Sequence, residues 1–192
     1  MRAISNWLAS TLGKVWLTTV LGVLSTAIFS FIVPAAVGVV TTNRTVVPKI
    51  LDEYMMTWTP KDAQHFYSAL GPQGRLALQN YYLHLDFWFP VLTLSLFYIG
   101  LLSLAFPRSS RFAPLNLLPI LLYFSDAAEN LNHFIMATHY PNLPAFSLQF
   151  GPAFTYIKWV LIIGLLVLAV IGFATKALNR RAQNKRVAGA GS

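Results

Sequence analysis

Four long apolar runs constrain this chain more than any other feature, near residues 15–39, 83–106, 115–137 and 154–174. A helix rises about 1.5 Å per residue, so each run can cross a hydrocarbon core of about 30 Å. Lipid offers the backbone no hydrogen-bond partners, and runs of this length satisfy it as helices. Hydrophobic residues make up 56% of the chain and charged residues 10%, whereas a soluble domain keeps about a quarter of its residues charged. The expected architecture is therefore an all-α, polytopic four-helix transmembrane bundle over residues 1–175, followed by a basic tail over 176–192. The first run, VWLTTVLGVLSTAIFSFIV, exceeds the ~7–15 residues of a signal-peptide core and is read as an uncleaved helix, with cleavage near PAAVG as the alternative. Cysteine is absent, which excludes disulfides, thiolate ligands and cysteine nucleophiles.

Most of the basic residues lie near the span ends, although the long loop over 41–78 carries four. Arg2 and Lys14 precede the first run, Arg108 and Arg111 lie between the second and third, and the tail carries Lys176, Arg180, Arg181, Lys185 and Arg186. The connection THYPNLPAFSLQFGP carries no Lys or Arg. Both termini are expected on the cytoplasmic side, with the tail against anionic lipid headgroups. That distribution fits a membrane partner, not nucleic acid.

The loop after the first span has its own helical signals. In TPKDAQHFYSALGP, Thr59 is an N-cap, Pro60 takes the first helical position, Asp62 sits three after the cap, and Gly71-Pro72 ends the helix, predicted over about 60–70. PKILDEYMMTW predicts an interfacial helix over about 48–58, and the pair could lie over the bundle as a lid. From Pro72 a helix is expected to run unbroken into the second span and to bend at Pro90.

The third run contains SDAAENLNHF, residues 125–134. At 100° per residue, Asp126, Glu129, Asn130 and His133 share one stripe. A central acid costs about 2.5–3.5 kcal/mol in lipid, and each Leu or Phe returns only about 0.3–0.6, so the stripe must face other helices or water. Glu129, Asp126 and His133 are the candidate acid–base residues. Asp86, Tyr82, Asn130, Lys158 and Trp88 are the candidate ligand-binding residues, drawn from neighbouring spans at similar depth. The plainer readings are that Lys158 snorkels to headgroups, that Asp86 sits hydrated at the interface, and that Asn130 and Asn132 join helices.

Glu129 and His133, with His84, Asp86 or His139, would be the donors of a metal, but no paired-histidine motif supports one and none is assigned. No GxSxG elbow, phosphate loop or dinucleotide fingerprint is present, so no cofactor is expected. Thr18, Gly22 and Thr26 form a small-residue stripe for close helix contact. Aromatic residues crowd the outer half, as in an interfacial belt or the wall of a small-molecule site.

Four spans, a helical loop of about forty residues after the first, an acid before a proline early in the second (LDFWFP) and a basic tail together resemble the EXPERA-type four-helix membrane proteins, the class of the emopamil-binding sterol isomerase. The first span departs from that pattern, because it lacks the acid such proteins often carry there. The resemblance implies that Asp86 and the stripe face a sterol-like or cationic amphiphilic ligand. Three functions follow as expectations. The chain binds a lipid-like or amphiphilic molecule in a polar intramembrane cavity or serves as an accessory subunit; it transfers protons on a sterol or isoprenoid; or it docks a partner helix as a homodimer or in a membrane complex.

Overall fold

The structure, a computed structural model, describes residues 1–40, 51, 54 and 57–190. Every regular element among them is helical. Three helical stretches, Val15–Gly38, Pro60–Ala105 and Ala145–Asn184, are long and apolar enough to cross a membrane. The interfacial helix expected over 48–58 lies largely outside the described residues; from it, Leu51 and Trp58 are buried.

Helix α1, Arg2–Thr11, was not foreseen. It buries Ser5 and Leu8 against the 3-10 turn Ala113–Leu117 and the helix Pro90–Ala105. Asn116 Nδ2 ties that contact together, donating to Ser5 O and to Ser103 Oγ at 3.0 Å each.

Helix α2, Val15–Ala27, passes through a π-helical turn, Ile28–Ile32, into α3, Val33–Val40. Pro34 accounts for the widened turn, because its ring crowds the carbonyl one turn back and it has no N–H to offer. The small-residue stripe packs on α5, Pro90–Ala105. A Cβ on Gly22 would come within 2.9 Å of the Phe97 ring, and one on Gly100 within 2.8 Å of Leu12 O, so the helices approach as closely as glycine allows.

Helix α4, Pro60–Asn80, starts as its sequence requires. The Asp62 amide donates to Thr59 Oγ1, and Asp62 Oδ2 accepts from the Thr59 amide and hydroxyl at 2.7 Å each. These bonds, side chain first, hold the Asp62 carboxyl below its usual pKa range. Gly71 breaks the helix with φ 65°, which an L side chain rarely adopts.

From Pro72 the helix runs on into the second span, as expected, and is interrupted only just before Pro90. After Asn80 comes a π-helical turn, Tyr81–Asp86, then an irregular turn over residues 87–89. Pro90 cannot donate to Asp86 O, and the Phe87 amide reaches back five residues to Tyr82 O at 3.1 Å.

Helix α6, Leu118–His139, coincides with the third apolar run. Its 22 residues are long enough to span, but the polar stripe keeps it out of the strongly apolar set. Helix α7 runs from Ala145 to Ala190 without interruption. The expected loop before residue 154 is thus mostly helix, with a short turn near Tyr140–Pro144 between α6 and α7, and the basic tail continues the same rod. Pro152 lies inside this helix.

Two apolar clusters organise the bundle. One, under α4, joins Trp58, Phe66, Tyr67, Tyr82 and Met136. The other joins Val91, Tyr98, Leu102, Leu122 and Leu165 between α5, α6 and α7.

Candidate functional site

The polar stripe of α6 points inward. Asp126, Glu129, Asn130, Asn132 and His133 are each at most 3% exposed, while Leu121, Phe124 and Leu131 on the opposite face are more than half exposed. Spacings of three and four residues produce this division, because they return side chains to one side of a helix. The polar side meets α7 and α4.

Glu129 is the centre of the group. Its Oε2 contacts Lys158 Nζ, and its Oε1 accepts a short hydrogen bond from Thr155 Oγ1. Thr155 and Lys158 lie three apart on α7 and so share a face. The Lys158 ammonium also reaches Asp126 Oδ1 at 3.5 Å, and Asn130 Nδ2 donates to Asp126 Oδ2 at 3.1 Å. Trp58 Nε1 donates to Thr155 Oγ1 at 3.1 Å, so the threonine hydroxyl accepts from the indole while donating to the carboxylate. The snorkelling reading of Lys158 gives way here: it is 7% exposed and lies well inside α7.

His133 sits beside this pair, fully buried. Its Nδ1 lies 3.1 Å from Tyr67 Oη, and its Nε2 lies 3.8 Å from Glu129 Oε1. Tyr82 stacks on the imidazole with centroids 5.1 Å apart and planes 15° from parallel, and Trp58 lies at 6.0 Å. Arg75 fixes the approach of α4 by donating to Tyr67 O at 2.8 Å from beyond the Gly71 break. Its guanidinium also covers the Tyr140 ring at 4.3 Å. At Gly151 a Cβ would come within 2.6 Å of Trp58, so α7 has no side chain where the indole enters.

The residues singled out from sequence divide as follows. Asp126, Glu129, Asn130, His133, Lys158 and Tyr82 come together. Asp86 is buried on the same π-helical turn as Tyr82 and accepts from Tyr81 Oη at 3.1 Å. Trp88 is 53% exposed and packs edge-on against Phe87. Asn132 acts as a helix joint, donating to Ser147 O at 3.4 Å. Thr155 was missed, although its spacing from Lys158 could have revealed it. Tyr67 and Trp58 belong to the outer-half aromatics, and nothing in their spacing sets them apart from the others.

His84 and His139 are exposed, and each has Nδ1 within 3.2 Å of a carbonyl four residues back. Among the described residues no three His, Asp or Glu side chains are arranged to hold a metal ion. Chemically, the cluster offers two carboxyls, one ammonium, one imidazole and a phenol in an aromatic enclosure. No family model, curated protein or solved structure matches the chain.

Proposed function

We propose that the chain is a multi-pass membrane protein with four spans, α2–α3, α5, α6 and α7, and that the buried cluster binds the polar head of a lipid-like or amphiphilic molecule. The outward apolar face of α6 supports counting it as a span, because its exposed residues suit lipid and its polar ones are covered. Charge distribution supports cytoplasmic termini and a cluster in the opposite leaflet.

One observation carries the binding reading: four ionisable side chains from two helices converge on a single buried centre. Packing alone would be served as well by apolar residues, since desolvating each ion costs several kcal/mol. Two carboxyls and one lysine ammonium meet there with the His133 imidazole beside them, so a head bearing an amine or a hydroxyl has acceptors to bind. The buried Asn130 Oδ1 also has no hydrogen-bond partner among the described residues.

Native mass spectrometry of gently extracted protein tests the reading. The wild type retains an amphiphile, whereas Glu129→Gln and Asn130→Leu lose it without changing oligomeric state. A wild type that retains nothing, or variants that lose assembly instead of ligand, would overturn it.

The run from Tyr67 through His133 to Glu129 favours proton transfer on a sterol or isoprenoid as the second reading. The 3.8 Å gap exceeds a hydrogen bond, so a proton crosses only with a small shift or a bridging water. On that reading Glu129→Gln abolishes turnover while the protein stays folded. Docking of a partner helix has less support, because the stripe is covered by the chain's own α4 and α7.

A further inference from the structure

At the other end of the bundle a groove of about 460 Å³ opens between the end of α5, the turn that follows it and α7. Its α7 wall is a single stripe, Leu168, Ile171, Thr175, Lys176, Asn179 and Arg180, spaced for one helix face. Along it the chemistry changes from hydrocarbon to hydroxyl to cation. Phe106 and Phe112 form the opposite wall, edge to face with centroids 6.0 Å apart. Arg111 brings a further positive charge, its guanidinium 4.6 Å from the Phe112 ring centre. No acidic residue lines the groove among the described residues.

Lys176 is held at the mouth. Its Nζ donates to Leu104 O at 2.9 Å, which uses one of the three ammonium protons. Lys176 lies about 27 Å along α7 from Lys158, close to the thickness of a hydrocarbon core. The groove mouth therefore falls toward the polar boundary opposite the leaflet that holds the ionic cluster.

We propose that this groove binds one anionic phospholipid, its phosphate against Lys176 and Arg180 and an acyl chain along Phe106, Phe112 and Ile171. The inference rests on the chain spanning a bilayer, not on what the ionic cluster binds. Charge complementarity selects an anionic head, and the graded wall selects an amphiphile over soluble phosphate, which would use the mouth alone.

The test is native mass spectrometry of protein reconstituted with equal amounts of phosphatidylglycerol and phosphatidylcholine. The wild type retains phosphatidylglycerol about tenfold or more over phosphatidylcholine, as two cations at a membrane surface imply. Arg180→Glu brings the ratio close to one. Thr175→Trp fills the groove from an exposed position without changing charge, and lowers retention of both lipids. Equal retention by the wild type, or a preference that survives Arg180→Glu in folded protein, would overturn the proposal. So would displacement of the lipid by glycerol phosphate at matched concentration. Loss of the outer ligand in Asn130→Leu with the phosphatidylglycerol preference kept supports two separate sites.

Discussion

Lys158 is the residue on which the ionic cluster depends, since it contacts Glu129 and Asp126 from a different helix. Removing one partner of a buried ion pair leaves the other desolvated and uncompensated, typically a loss of about 3–5 kcal/mol. Lys158→Met should therefore destabilise the bundle strongly. Lys158→Met combined with Glu129→Gln should cost less than Lys158→Met alone, because one of the two stranded carboxyls is replaced by a neutral amide. Unfolding in mixed micelles checks both, and equal losses in the two variants would contradict the coupling. Thr155 contributes differently: it passes one hydrogen bond from the Trp58 indole to Glu129, and so ties the segment before α4 to the centre of the site.

Among the elements, α4 is the clearest case of structure following from local chemistry. Its capping box depends on an ionised Asp62, whose folded pKa is depressed. A depressed carboxylate stabilises the fold above its unfolded pKa, and that contribution is lost as pH falls through the folded value. Amide exchange in the first turn of α4 should quicken below the usual carboxylate range, after correction for intrinsic rates, and Asp62→Asn should flatten that dependence. Thr59→Ala should cost about 1 kcal/mol at neutral pH. This helix was legible because cap, proline and glycine act within a few residues of one another. The α6 stripe was legible because its period is that of a helix. Other elements were not: α1 depends on Asn116, more than a hundred residues away, and the start of α7 is masked by Pro144, Gly151 and Pro152, which individually favour a break. The convergence of Tyr67, Thr155 and Trp58 depends on how helices cross, which single-helix periodicity does not contain.

At the scale of the whole molecule, charge and hydropathy jointly predict a topology with both termini on one side. The chain lacks cysteine, so each introduced thiol reports alone. Ser10→Cys and Gln183→Cys should resist an impermeant maleimide in intact cells and react after lysis, while Ser68→Cys should react at once; all three positions are exposed. Labelling of Ser10→Cys and Ser68→Cys from the same side would refute the arrangement. On the proposed four-span topology, the inverted character of α6, oily outside and ionic inside, also bears on how the chain would enter a bilayer. Alone, that helix would present two carboxylates and an imidazole to hydrocarbon, each acid at an insertion penalty of about 2.5–3.5 kcal/mol. The ammonium that offsets them arrives only with the next segment, across a turn of a few residues. α6 and α7 should therefore leave the translocation machinery together as a hairpin, the first waiting at the protein-lined exit until its counterion has been synthesised.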